Sequence, residues 1–246
     1  SLTGSFVFRA YHGSFQLNHR RLSRLRGEIP RRLYPTRGIS VYRQGRTSPM
    51  NFNTPPTNPV ESAQRWFDQA VDQAVTPNPL AMVLSTVNEK SAPSSRVVLQ
   101  KGFDESGIVF FTNYQSDKAN DIVANESVSL LFHWDDTQRQ IRIQGNAAKL
   151  SSEESDVYFA TRLRESQIGA WASEQSAPLG DRSELIAKAD ALSEKWSDCE
   201  VPRPEHWGGY RVSLNMIEFW EGQDGRLHDR IRYTNNDGWS WQLLQP

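Results

Sequence analysis

The feature that most constrains this 246-residue chain is a change of hydrophobic period partway along it. Val60–Ala74 places Ala63, Trp66, Phe67, Ala70, Val71 and Ala74 at helical spacing, which predicts an amphipathic helix laid on a core. Beyond it the apolar residues come in short β-branched or aromatic runs: Met82–Val87, Arg96–Lys101, Ile108–Thr112, Val128–Trp134 and Gln140–Leu150. Turn-prone stretches such as Asn-Glu-Lys and Asp-Asp-Thr separate them, so an antiparallel meander is predicted. Ser151 followed by Glu154 is a capping-box pattern that opens a helix running to about Arg162, and a second helix is expected over Arg182–Trp196. Strand character returns at Tyr210–Trp220, Arg226–Thr234 and Trp239–Leu244. The fold expected is mainly β with α insertions, closed as a small barrel.

The N-terminal part differs in composition. Residues 1–46 carry ten arginines against one acid, Glu28, and Thr47–Pro59 contains Pro49, Pro55, Pro56 and Pro59. We read residues 1–58 as a basic arm and Pro-rich linker, and 59–246 as the folded domain. An Arg-rich, acid-poor leader fits organelle import, and equally an extension without that role. The whole chain has net charge −1, so no general positive field draws it to nucleic acid or anionic lipid. Cys199 is the only cysteine, which excludes an intrachain disulfide and multi-cysteine metal sites and fits a reducing, cytoplasmic setting. No apolar run is long enough for a membrane helix, and the histidines lack metal-ligand spacing. Rossmann, Walker and zincin motifs are absent, and Gly208-Gly209 reads only as a flexible turn.

Three sets of residues could carry chemistry. Strand alternation would put Arg226, His228, Arg230 and Arg232 on one face, where like charges repel unless an anion or an electron-rich ring lies against them. A solvated outer face is the other reading, and spacing does not choose between the two. Tyr158, Arg162 and Ser166 fall at i, i+4 and i+8 and would suit a phosphate monoester if one helix carries them all; alone they better describe an exposed Arg beside a half-buried Tyr. Arg96 and Lys101 flank an apolar strand, with Lys118 in a loop after Thr112. Alternation separates Arg96 from Lys101 unless a bulge intervenes or Lys101 lies past the strand end. The alternation of Gln140, Arg142 and Gln144 with Ile141 and Ile143 reads as an exposed face, and His133 and His206 as packing or turn residues.

Seven segments, in order, resemble the pyridoxine/pyridoxamine 5′-phosphate oxidase family: Arg-Val-Val-Leu-Gln-Lys (96–101), Val-Phe-Phe-Thr-Asn (109–113), Ser-Leu-Leu-Phe-His-Trp (129–134), 165–176, His-Trp-Gly-Gly-Tyr-Arg-Val (206–212), Ile-Glu-Phe-Trp-Glu-Gly (217–222) and Arg-Leu-His-Asp-Arg (226–230). The resemblance implies an FMN-binding split β-barrel that dimerises, with FMN at the subunit interface. It further implies oxidation of pyridoxamine or pyridoxine 5′-phosphate to pyridoxal 5′-phosphate by O2, giving hydrogen peroxide. By motif, Arg96, Val97, Val98, Leu99, Lys101, Phe111, Thr112, Lys118, Gln140, Gln175, Ser176, Trp220 and Arg230 would hold FMN. Lys101, Tyr158, Arg162, Ser166, Arg226 and His228 would hold substrate, with Arg226 and His228 over its ring near the reacting carbon. Two positions depart from the family pattern: Asp117 stands where Arg is common, and Ile39 where a basic residue precedes Tyr42. A phenazine-pathway oxidase on the same barrel is the nearest alternative, and a non-catalytic FMN or pyridoxal-phosphate binder is another. Preference between amine and alcohol substrates is not written in these motifs.

Overall fold

The computed structural model describes Ser48 and residues 50–246; the basic arm, Ile39 and Tyr42 lie outside the described residues. Helix α1 (Val60–Asp72) lies where the helical period predicts and buries Ala63, Trp66, Phe67 and Ala70. Trp66 meets the Phe219 ring edge-on at 5.2 Å, and Phe67 lies 4.7 Å from the Phe132 ring. These contacts seal one side of the main core.

Four strands follow: β1 (Ala81–Val87), β2 (Pro93–Leu99), the short β3 (Gly102–Asp104) and β4 (Gly107–Asn113). Helix α2 (Asp117–Ala124) comes next, then β5 (Ser127–Trp134) and the long β6 (Arg139–Lys149). Helices α3 (Ser152–Ala160), α4 (Arg164–Ala172) and α5 (Arg182–Lys195) precede β7 (Trp207–Val212), β8 (Met216–Glu221), β9 (Asp229–Asn235) and β10 (Trp239–Leu243). Neighbouring strands run β10-β9-β8-β6-β5-β1-β2, with β7 bridging β6 to β4 and β4 pairing β3. Every pairing is antiparallel, as the meander pattern requires.

Strand β6 explains how the barrel splits. Its first half, Arg139–Gln144, pairs with β8, and its end, Ala147–Lys149, pairs with β7. The handover falls at Gly145, where a Cβ would collide with the Ser213 carbonyl oxygen. The stretch 210–220, read above as one strand, therefore breaks at Ser213–Asn215 into two that serve different halves. The backbone amides of Ser213 and Asn215 still bond to Asn146 and Gln144 across the break. The Gly208-Gly209 pair is likewise no turn; it lies in β7 opposite Thr112 and Phe111, and side chains there would strike Tyr114 and Leu150.

The described residues of the Pro-rich stretch before α1 form no helix or strand, yet they pack. Met50 is buried in the main core, Ser48 Oγ donates to Glu221 Oε2 at 2.6 Å, and the Tyr233 hydroxyl donates to the Pro56 carbonyl at 3.1 Å. Burial pushes the Tyr233 hydroxyl up to about 12. A second, smaller core of Phe159, Ile168, Trp196, Val201 and Trp207 joins α3, α4 and α5 to β7.

Candidate active site

A cavity of about 630 Å³ opens between β2, β4, the start of α2 and the α3–α4 corner. That size suits a small organic ligand. Its walls bring together Val97, Val98, Leu99, Lys101, Phe111, Thr112, Lys118, Tyr158, Arg162, Ser166 and Gln175 from the residues singled out in the sequence. Strand β2 ends at Leu99, so Lys101 lies past the strand end, the condition under which it and Arg96 can serve one ligand.

Tyr158, Arg162 and Ser166 meet in the cavity by a different route from the single helix expected. Helix α3 stops at Ala160, where the Thr161 hydroxyl donates back to the Tyr158 carbonyl at 2.7 Å, and the extended backbone at Leu163 starts α4 afresh. The corner places Tyr158 at the end of one helix, Arg162 on the link and Ser166 in the first turn of the next.

Arg162 has no acidic partner among the described residues. Its guanidinium lies 4.5 Å over the Trp207 ring and 5.6 Å from Phe159, and its buried Nη1 has no hydrogen-bond partner among the described residues. A buried cationic donor left unmatched favours an anion. Burial lowers the Arg162 pKa, with Tyr158 opposing the shift, and burial followed by Arg162's charge lowers that of Lys101. The Tyr158 ring stacks on Phe111 at 3.9 Å, and burial raises its hydroxyl's pKa against the pull of Arg162.

Lys118, expected in a loop, occupies the first turn of α2 and is buried. Its ammonium donates to Ser116 Oγ and to Gln175 Oε1, both at 2.9 Å, and Thr112 Oγ1 donates to the same Gln175 oxygen at 3.1 Å. Burial first, then Arg96 nearby, lowers Lys118 to about 8, while Asp117 acts in the opposite sense. Ser176, in the left-handed region at φ 76°, accepts from the Asp117 amide at 3.2 Å but does not line the cavity. Arg96 stands behind the cavity rather than in its wall.

The remaining residues form a second group away from this cavity. Gln140, Trp220 and Arg230 are register neighbours across β6, β8 and β9. His228 precedes β9, its ring 4.7 Å from that of Trp220. Its Nδ1 accepts the Gln223 amide at 3.1 Å, so the neutral ring carries its proton on Nε2. Arg226 does not share a strand face with Arg230 and Arg232. It sits in a 3₁₀ turn where Gly225 and Arg226 both have positive φ, 65° and 62°, and the strand starts only at Asp229.

Arg230 and Arg232 do alternate, and their repulsion is answered within the chain. The buried Glu218 carboxylate accepts from Arg230 Nη2 at 2.7 Å, Arg232 Nε at 3.0 Å and Arg142 Nη2 at 2.9 Å. Burial would raise this carboxyl's pKa, but the three guanidinium groups outweigh it and hold it below the usual range.

Sequence reading missed Trp207 as a cavity wall. The His-Trp-Gly-Gly stretch signals packing, which Trp207 also provides by stacking on Phe111 at 5.3 Å. Asn113, Gly169, Ala170 and Ser173 line the cavity from within quoted segments but were given no role there, and Leu163 lines it from outside any quoted segment. His206 packs as expected, near Trp171 and hydrogen-bonded to the Ala170 carbonyl.

Comparison with known proteins follows the same division. A family model described as pyridoxamine 5′-phosphate oxidase matches residues 67–195, and one described as the pyridoxine 5′-phosphate oxidase C-terminal dimerisation region matches 207–246. The chain is 48% identical over 190 residues to a pyridoxine/pyridoxamine 5′-phosphate oxidase of Acaryochloris marina, covering 77% of this chain and 86% of that one. It is 50% identical over 187 residues to one of Paraburkholderia phytofirmans, covering 76% and 87%. Among solved structures it resembles PhzG from Burkholderia lata in complex with tetrahydrophenazine-1-carboxylic acid, with TM-score 0.75, 33% identity and coverage of 79% and 96%. It also shares the fold of a pyridoxamine 5′-phosphate oxidase-related, FMN-binding protein from Nostoc punctiforme, at TM-score 0.62, 16% identity and coverage of 78% and 100%.

Proposed function

Since the chain belongs to the pyridoxamine 5′-phosphate oxidase family, we propose that it oxidises pyridoxamine and pyridoxine 5′-phosphates to pyridoxal 5′-phosphate, with O2 as acceptor and hydrogen peroxide as co-product, the amine also consuming water and releasing ammonia. It is an oxidoreductase whose cofactor is FMN, on the FMN-binding split-barrel fold. The observation that carries the substrate reading is Arg162, a half-buried guanidinium whose buried Nη1 is an unmatched donor among the described residues, set between Tyr158 and Ser166.

In this reading Tyr158, Arg162 and Ser166 grip the substrate phosphate: the guanidinium supplies charge and directed donors, and the two hydroxyls complete the oxygens' hydrogen bonds. Lys118 and Arg96 take the FMN phosphate, and Lys101 serves the space between the two ligands. Lys118 fits an incoming anion because its present acceptors, the neutral Ser116 and Gln175 oxygens, are weaker partners than a phosphate. FMN, when bound, supplies the two-electron acceptor and passes the electrons on to O2.

The second group completes the site from the other subunit. None of Gln140, Trp220, Arg226, His228 and Arg230 lines this chain's own cavity, and four of the five lie in the stretch that matches a dimerisation region. A homodimer in which each subunit offers these residues to its partner's cavity would place the Arg226 side chain and His228 Nε2 near the reacting carbon. Arg230 would bring positive charge to the flavin. Positioning and local charge are then the protein's contributions.

The PhzG likeness favours a second reading, in which the same barrel oxidises a larger carboxylated ring. Steady-state oxidation separates the two. With pyridoxine 5′-phosphate, aldehyde and peroxide should form in equal amounts, and removal of the phosphate should abolish most of the rate. Equal turnover of phosphorylated and unphosphorylated substrates would remove the role given to Arg162.

A further inference from the structure

The α2 cradle rests on two residues with no part in the reading above. Thr86 on β1 is fully buried; its Oγ1 donates to Asp121 Oδ2 at 2.6 Å and accepts from Arg96 Nη1 at 2.6 Å. Asp121 also lies 3.5 Å from Arg96 Nη2, closing a three-membered ring of contacts. Ser94 adds its hydroxyl to Nη2 at 2.9 Å and its carbonyl to Nη1 at 3.2 Å. The guanidinium is thus fixed from β1, β2 and α2 at once, close enough to Lys118 to depress it.

Two cations held this close repel, and something must keep them in place before an anion arrives. Asp121 sits one helical turn beyond Asp117, so each cation of the cradle has a carboxylate on its own side. Arg96, Lys118, Asp117 and Asp121 together carry no net charge. We infer that Thr86 and Asp121 are positioning residues, which hold the Arg96 guanidinium beside Lys118 so that the pair is ready for the phosphate of FMN. The inference rests on the proposed cofactor site. It also gives this chain a use for charge balance in a cradle where Asp117 replaces a common arginine.

Positioning and simple neutralisation predict opposite signs. If Asp121 only competed with the phosphate for Arg96, Asp121→Asn would tighten FMN. If it positions Arg96, the same change weakens FMN, and the charge-neutral, nearly isosteric Thr86→Val weakens it too. The test is equilibrium binding of FMN and of riboflavin, which lacks the phosphate, to full-length apoprotein by flavin fluorescence.

Thr86→Val and Asp121→Asn should each raise the FMN dissociation constant roughly tenfold, the scale of one impaired charge-assisted hydrogen bond. Riboflavin affinity should stay unchanged, and Thr86→Ser, which keeps the hydroxyl, should bind FMN as the parent does. Unchanged or tighter FMN binding in either Thr86→Val or Asp121→Asn would overturn the inference. So would an equal loss for FMN and riboflavin, which signals a general structural defect. If the parent itself fails to prefer FMN over riboflavin, the phosphate cradle is misplaced, and this inference falls with it.

Discussion

Among the described residues no carboxylate is bonded to Arg162 or Lys118, yet their surroundings give these two cations different behaviour. Arg162 is held by ring faces, and a guanidinium can stack there while its edge stays available to an anion. Arg162→Lys keeps the charge but loses the planar stack and the fork. It should raise the KM for pyridoxine 5′-phosphate by roughly ten- to a hundredfold while FMN affinity stays as it was, measurable by initial rates alongside flavin titration. Lys118 is a pH-dependent site. Burial and Arg96 lower it to about 8 in the free protein, so its charge is present below that pH and lost above it. Phosphate binding needs the charged form and raises the pKa of the complex. FMN affinity should therefore be level below about pH 8 and weaken above it, whereas Lys118→Gln should bind weakly and without that dependence. Titrations across the range would check both. Arg162 and Lys118 could be found in the sequence because Arg162 shares a four-residue spacing with Tyr158 and Ser166, and Lys118 follows Thr112 closely. Thr86 and Asp121 could not, since a strand threonine and a helix aspartate 35 positions apart become partners only when β1 and α2 pack.

The elements show where local pattern suffices and where it fails. Helix α3 starts at a capping box that the sequence announces: Ser151 Oγ accepts the Glu154 amide at 3.1 Å, and the Glu154 carboxylate accepts the Ser151 amide at 3.0 Å. Ser151→Ala should cost about 1 kcal/mol in denaturant unfolding, with the chemistry intact because Tyr158 lies at the far end of the helix. The period-two runs located β1, β5 and β6 to within a residue or two because one face of each is buried, and a continuous apolar run did the same for β4, which is buried on both faces. The break between β7 and β8 left no such mark, since the residues on both sides of it are apolar and the cause is a backbone crossing at Gly145. Gly145→Ala would drive a Cβ into the Ser213 carbonyl, and backbone cannot step aside as a side-chain tip can. A loss of about 2 kcal/mol or more is expected, read as a shift of the unfolding midpoint. The turn at Arg226 was hidden for a related reason. A positive φ at a non-glycine residue is uncommon and imposed by the fold, so the alternating Arg-Leu-His-Asp-Arg pattern looked like a strand before the strand began.

At the scale of the whole molecule, the site residues divide between two faces that one chain does not join. The first group lines the cavity; the second lies on the β6–β8–β9 rows and the turn before β9. Motif order brought out both groups, but no spacing within a chain reports that a site is shared between copies. The shared site makes a quantitative prediction. Arg162→Ala and His228→Ala subunits, each nearly inactive alone, should regain activity when unfolded together and refolded as a mixture. Each mixed dimer would hold one intact site out of two, so random pairing gives about a quarter of parental activity. No recovery would place both groups in one subunit's site. The most direct test of the proposed reaction is a flavin spectrum taken without oxygen. Purified protein carrying FMN should lose its visible flavin absorbance when pyridoxine 5′-phosphate is added, and regain it with pyridoxal 5′-phosphate formed once air returns. A bound flavin that keeps its colour with both pyridoxine and pyridoxamine 5′-phosphates would contradict the assignment.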